Sequence, residues 1–294
     1  MGDRLFFPDI RLFRPEQLQN IRKAAIAKNI EEVKILKKNV TIAFFSPTGN
    51  TKKSLEAMAE AAGILKETID LTVCPDPKPH RFGPDDLVIF GAPVYGGRIP
   101  AVARERFLAF TGDHTPCIAV VTYGNRDFDD ALLELADLAK GQGFTVNGAA
   151  ALVGRHTYGE IQTSRPDEND LAQDRDFAAK AASRTGDLPE VQIPGNRPYK
   201  DGGHGGKFRP LTSEACVKCG LCVKNCPVQA IDKDCRTISD ACLSCFRCIR
   251  NCPAHAKNMD TEDYRAFASA FTERLKNRRE NQYFCNGSAV RQDI

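Results

Sequence analysis

The sequence of 294 residues contains no tryptophan, so any stacking on a flat aromatic ligand falls to tyrosine or phenylalanine. No stretch of 18 apolar residues occurs, which argues against a membrane-spanning helix. The first residues, MGDRLFFPDIRLFRPEQ, hold a Phe-Phe pair but no apolar run of signal-peptide length. The expectation is a soluble, cytoplasmic protein. No block of five or more like charges appears and the formal net charge is only +3, so nucleic acid has little support as a partner. The spacings G-x-x-x-x-G-K-[ST] and G-x-G-x-x-G are also missing from the strand-to-helix loops, which removes support for ATP, for NAD and for direct hydride donation from a nicotinamide.

At 42 % hydrophobic, the chain has enough apolar residues for one large domain and one small one. Residues 15–38 carry Leu18, Ile21, Ala25, Ile30 and Val33 at helical spacing behind Pro15, which predicts one or two helices. Apolar runs and amphipathic segments then alternate. The runs are VTIAFF (40–45), ETIDLTV (67–73), DLVIFGAPVY (86–95), PCIAVVTYG (116–124) and FTVNGAAALVG (144–154). Such alternation predicts an α/β fold with a five-stranded parallel sheet covered on both faces, in the flavodoxin-like order. After an Ala-rich helix near 169–184, Gly and Pro break all periodicity, and GGHGG (202–206) reads as flexible linker because it follows no strand and opens no helix. The expected organisation is an N-terminal helical extension (1–39), a flavodoxin-like domain (40–186), a linker (187–210), a cysteine-rich domain (211–258), and a C-terminal helix and tail (259–294).

Of twelve cysteines, eight lie between Cys216 and Cys252, in two aligned copies: CVKCGLCVKNCPVQA (216–230) and CLSCFRCIRNCPAHA (242–256). Without a secretion signal such density favours metal over disulfides. Each copy reads C-x-x-C-x-x-C-x-x-x-C-P, the spacing that gives three thiolates to one four-iron cube and the fourth to its neighbour. One [4Fe-4S] cluster is therefore expected on Cys216, Cys219, Cys222 and Cys252, and a second on Cys242, Cys245, Cys248 and Cys226. A zinc ribbon on Cys219, Cys222, Cys242 and Cys245 is the alternative, but it strands four equally regular cysteines. Cys117 reads as a core residue, Cys235 as non-ligating, and His255 as a surface residue. Cys74 and Cys285 complete the twelve.

This segment resembles bacterial ferredoxins with two [4Fe-4S] clusters, a resemblance that implies low-potential one-electron transfer. Phe246 stands where the first copy has Gly220; shielding of the second cluster and simple packing are both open readings. Near the other end, Ser46-Pro47-Thr48-Gly49-Asn50-Thr51 joins a strand to a helix, where free N–H groups and the helix dipole favour an anion. The loop resembles the phosphate loop of flavodoxins, which implies FMN as cofactor, its terminal phosphate on Ser46, Thr48, Gly49, Asn50 and Thr51. The same resemblance implies that Pro93, Val94, Tyr95, Gly96 and Gly97 flank one side of the flavin ring and Tyr123, Gly124 and Asn125 the other. Tyr95 and Tyr123 are the stacking candidates, with packing at a strand end as the alternative for each. Arg98 and Arg126 read either as flavin-edge contacts or as ordinary surface residues.

Together with PVYGGRIP, YGNRDFDDALLEL and GRHTYGEIQTSRPD, these motifs resemble flavodoxin-ferredoxin fusions of anaerobic bacteria and archaea, over residues 40–258. The resemblance implies an electron-transfer flavoprotein, or oxidoreductase, that couples one-electron carriers to a flavin. A dedicated FMN-dependent reductase of a quinone or sulfur compound and a redox sensor are the other readings. With clusters and phosphate included, the formal charge falls from +3 to about −3. A redox protein partner is expected, with Lys218, Lys224, Arg247 and Arg250 as candidate docking residues or as solvated surface charge. The oligomeric state stays open, a homodimer included.

Overall fold

A computed structural model describes residues 38–186, 189–285 and 288–290. The described residues belong to one compact unit, which begins at Lys38; the helices expected over 15–38 fall outside the described residues, save the last position. Within this unit, strand β1 (Asn39–Phe44) leads into helix α1 (Asn50–Ala62) and strand β2 (Ile64–Asp70). Then come β3 (His80–Phe82), β4 (Asp86–Pro93), α2 (Ala101–Phe107), β5 (Phe110–Gly112), β6 (Thr115–Tyr123), α3 (Ala131–Gly141), β7 (Phe144–Val153) and α4 (Glu168–Ala182). Strands β2, β1, β4, β6 and β7 pair in that order and all in parallel. This is the flavodoxin-like order, and β3 with β5 forms a small separate parallel pair.

The period-2 side-chain alternation of a strand explains how both faces are filled. Val40, Ile42 and Phe44 point to one face with Leu87, Ile89, Ile118 and Val120, where Leu55 and Met58 of α1 and Phe177 of α4 cover them. Ala43, Val88, Phe90, Ala119 and Val121 point to the other, under Phe107 of α2 and Leu132 and Leu135 of α3. Runs buried on both faces are nearly continuous in apolar residues, which is why β4 and β6 stand out in the sequence.

Beyond α4 the cysteine segment contains β8 (Leu211–Thr212), two short helices α5 (Leu221–Lys224) and α6 (Arg247–Arg250), and β9 (Lys257–Asn258), which pairs antiparallel with β8. Helix α7 (Glu262–Arg274) follows, capped by Thr261, whose hydroxyl accepts from the Tyr264 N–H at 3.2 Å. The chain then returns. β10 (Gln282–Cys285) pairs antiparallel with β7, and β11 (Ser288–Val290) pairs with β10, so the sheet has seven strands rather than the five expected. The five parallel strands are those read from the sequence; the two additional ones come from the segment expected to be a tail. Phe284 of β10 joins the same core face as Phe90 and Phe128.

The segment expected to be a flexible linker is fixed against α3 instead. Asp130 accepts from the backbone N–H groups of Asn196 (2.8 Å) and Lys200 (2.7 Å), and Asp137 accepts from the Tyr199 hydroxyl at 2.5 Å. Gly203 donates to the Tyr95 carbonyl at 2.8 Å, and its own carbonyl accepts from Ala101. Its φ of 79° and the contact an added Cβ would make at 2.7 Å require glycine there. Among the described residues no helix is long and apolar enough to cross a membrane.

Candidate functional site

Three loops at the C-terminal ends of β1, β4 and β6 meet in a cleft of about 260 Å³, the location where open α/β sheets take ligands. The first loop is pinned by its own side chains. Ser46 donates its N–H to the Thr72 hydroxyl (2.8 Å) and its hydroxyl accepts from Lys52 N–H (3.1 Å). The Thr51 and Thr122 hydroxyls pair at 2.6 Å, and the Asn50 amide donates to the Arg155 carbonyl at 2.9 Å. Gly49, at φ 88°, turns the chain into α1. With those side chains engaged, the N–H groups of Thr48, Asn50 and Thr51 donate to no protein acceptor among the described residues. At the head of a 13-residue helix, they fit an anion.

Of the residues expected at this site, Ser46, Thr48, Asn50, Thr51, Pro93, Val94, Tyr95, Gly96, Tyr123 and Gly124 border the cleft. Gly49, Gly97 and Asn125 do not line it. Gly97 faces Asp129 and Lys200. Asn125 is buried and turned toward the returning chain: its amide donates to the carbonyls of Leu275 (2.8 Å) and Asn277 (2.7 Å) and its carbonyl accepts from Arg279 N–H (3.1 Å). Tyr123, 3 % exposed, packs its ring 5.6 Å from Phe128, in the core. Tyr95 is half-buried at the cleft, and burial together with the neighbouring Cys245 and Tyr158 holds its phenol well above the ordinary value.

The two arginines read as candidate flavin contacts are committed elsewhere. Arg98 forks onto Glu134 at 2.7 and 2.6 Å and lies over the Tyr199 ring, and Arg126 pairs with Asp129. In their place the structure brings His156, Tyr158, His204 and Gly206 to the cleft. The His156 ring accepts the Tyr158 N–H at 2.8 Å, and burial pulls its pKa down to about 4. His156 and Tyr158 lie in the stretch GRHTYGEIQTSRPD quoted above, whereas nothing in the sequence singled out His204 and Gly206 for this wall.

The eight cysteines divide between two further cavities. Cys226, Cys242, Cys245 and Cys248 line the inner one, and Cys216, Cys219, Cys222 and Cys252 line the outer one. Cys219 and Cys222, of the zinc-ribbon alternative, thus line a different cavity from Cys242 and Cys245. A single zinc would need its four sulfurs about 3.8 Å apart, given tetrahedral bonds of about 2.3 Å. Among the described residues no group of three or more His, Cys, Asp or Glu side chains is placed to hold a metal ion. Burial pushes the Cys245 and Cys248 thiols up to about 12. At Cys252 burial is outweighed by the N–H groups of Lys257, Ala256 and Ala254, which bring the thiol below its ordinary value.

The halves superimpose in local conformation. Gly220 (φ 74°) and Phe246 (φ 61°) both open a short helix from the left-handed region, a conformation costly for Phe. Phe246 lines the inner cavity and also packs on Tyr158 (5.5 Å) and Tyr264 (5.8 Å). Cys235, buried, borders the outer cavity beside Cys222. Leu243 and Ser244 line both the inner cavity and the cleft.

Three arginines fasten the cysteine segment to the sheet. Arg106 of α2 donates to the carbonyls of Leu71 (2.8 Å), Thr72 (2.9 Å) and Pro227 (2.6 Å). Arg247 donates to Asn225 (3.1 Å) and to Pro47 within the first loop (3.0 Å), and Arg250 to the His156 carbonyl (3.4 Å). Arg247 and Arg250, read from the sequence as docking residues or as solvated surface charge, are half-buried and donate to carbonyls within the molecule.

Residues 211–232 match the family model of the 4Fe-4S binding domain, Fer4. Among solved structures, a flavodoxin from the domain Archaea is similar over 49 % of this chain and 96 % of its own, at 13 % identity and a TM-score of 0.33. The flavodoxin of Streptococcus pneumoniae TIGR4 is similar over 49 % and 97 %, at 17 % identity and a TM-score of 0.35. The rubredoxin oxygen:oxidoreductase of the anaerobe Desulfovibrio gigas is similar over 50 % of this chain but only 36 % of its own, at 16 % identity and a TM-score of 0.34. The chain thus spans about a third of that protein's length. None of the curated proteins compared with the chain matches it. By strand order and by its matched segment, the chain joins a flavodoxin-like α/β sheet to a 4Fe-4S ferredoxin-type domain.

Proposed function

We propose that the protein transfers electrons between two [4Fe-4S] clusters and an FMN, linking a one-electron redox partner to flavin chemistry. The observation that carries this reading is the sequence of cavities: outer cysteine set, inner cysteine set, then the cleft, with Leu243 and Ser244 as the wall shared by the last two. The clusters pass single electrons and the flavin accepts one or two, which is the chemistry these groups supply when bound. The chain's residues do the rest. Thr48, Asn50 and Thr51 offer N–H donors to a terminal phosphate, and Pro93 to Gly96 border the space for a ring. Tyr95 borders that space and is near enough to Cys245 and Cys242 to feel their charge. Arg106 and Arg247 fix the cysteine segment so that the separation between cleft and inner set does not drift.

The outer set lies nearer solvent. Cys219 is exposed, and Val217 and Leu221 beside it are 70 % and 40 % exposed. A redox partner would meet this end, and Lys218 and Lys224 give it a basic surround that suits an acidic protein. Anaerobic purification followed by metal and flavin analysis tests the reading: about eight irons and one FMN per chain are expected. Colourless protein after reconstitution would overturn it. Turnover of a quinone or sulfur compound by the reduced protein alone would move the assignment to a reductase.

A further inference from the structure

The internal repeat allows the two cavities to be compared position by position. Cys226-Pro-Val-Gln-Ala-Ile231 in the first copy aligns with Cys252-Pro-Ala-His-Ala-Lys257 in the second. The backbones agree closely: Gln229 and His255 have φ of 52° and 48°, and Ala230 and Ala256 each donate to the preceding cysteine sulfur at 3.3 Å. Ile231 consequently lines the inner cavity and Lys257 the outer one. The same place in the fold is apolar in one half and an ammonium in the other.

Lys257 is 3 % exposed, and its Nζ has no hydrogen-bond partner among the described residues. A buried, unpaired ammonium is costly unless negative charge faces it. Ile231 fills the equivalent position without charge, so packing alone does not require lysine there. Lys257 lines the outer cavity together with Cys216, Cys219, Cys222 and Cys252, so the thiolates of that set face it most directly, while Asp234 and the inner Cys242 and Cys248 lie further out in its field. The inner set has its own cation, Arg247, but that guanidinium is already committed to the carbonyls of Asn225 and Pro47.

We propose that Lys257 is the counter-charge of the outer four-cysteine set and raises the reduction potential of the cluster held there. This rests on the two-cluster reading. A fixed positive charge stabilises the added electron, and net charge around the sulfurs is one of the levers that set cluster potentials. The lysine is a positioning charge and touches no reacting atom.

The test uses the full-length, anaerobically reconstituted protein, with iron analysis and potentiometric titration followed by electron paramagnetic resonance. Lys257→Met and Lys257→Gln are compared with Lys257→Arg. With eight irons retained, the first two are expected to show one of the two one-electron steps moved to lower potential. A roughly tenfold loss in the reduction equilibrium corresponds to about 59 mV. Lys257→Arg should titrate as the natural protein does. If Met and Gln instead cost about four of the eight irons while Arg keeps them, the counter-charge role is also supported. Unshifted steps in fully loaded Met and Gln variants, or an Arg variant that behaves like Gln, would overturn the proposal. Failure of the natural protein to bind about eight irons refutes the two-cluster reading rather than the role of Lys257.

Discussion

Replacing Arg106 should separate the two halves of the molecule energetically. Its guanidinium is 5 % exposed and makes three hydrogen bonds to carbonyls, two in the loop after β2 and one at Pro227, next to Cys226. Hydrogen bonds from a charged donor contribute about 1.5–3 kcal/mol each. Against that stand the desolvation of the guanidinium, which pulls its pKa below the ordinary value, and an Nε with no partner among the described residues. The net cost of Arg106→Met should be about 3–5 kcal/mol, since three buried carbonyls lose their donor at about 1–3 kcal/mol each, offset in part by the desolvation no longer incurred. At about 2–4 °C per kcal/mol, the melting temperature should fall by roughly 10 °C. Thermal melts by far-ultraviolet circular dichroism on the loaded protein would read this, with exposed Arg104→Ala on the same helix as the control, expected within about 0.5 kcal/mol. A Met variant that melts within about 2 °C of the natural protein would refute the fastening role.

Three further outcomes are expected. An added Cβ at Gly124 lies 2.0 Å from the His156 ring, so Gly124→Ala should displace that wall and weaken FMN binding about tenfold, near 1.4 kcal/mol; an unchanged Kd in a fluorescence titration would count against the cleft as the flavin site. Cys219→Ser and Cys245→Ser should each reduce iron from about eight to about four per chain, and a variant that keeps all its iron contradicts the assigned sets. Burial raises the Asp174 carboxyl from 3.8 to about 7, so the folded state holds a proton there that the unfolded chain releases. Stability is full below pH 4 and falls through pH 7 by about 4 kcal/mol; denaturant midpoints across pH should show the slope flattened in Asp174→Asn.

What the sequence revealed followed from local physics. β4 and β6 were visible because both their faces are buried, and the cysteine sets because the spacing within each copy decides which sulfurs can meet. β10 was invisible: Gln282–Cys285 is four residues long with a single Tyr-Phe pair, and its partner β7 lies on the far side of the cysteine segment. The order in residues 191–206 was equally hidden, since it comes from Asp130 and Asp137 of α3 rather than from any local pattern. Arginines misled most. Arg98, Arg247 and Arg250 looked like surface or ligand residues because their carbonyl and carboxylate partners are assembled only by the fold, whereas Arg126 pairs with Asp129 three residues along the chain. Lys257 carried a signal that only comparison of the two copies exposes, a charge where the first copy has Ile231.

The return of β10 to the sheet also orders events during synthesis. All eight motif cysteines leave the ribosome before the strand that closes the edge of β7, so the nascent chain presents the cysteines while that edge is still open. Iron delivery to the cysteine segment can therefore precede the pairing of β10 with β7.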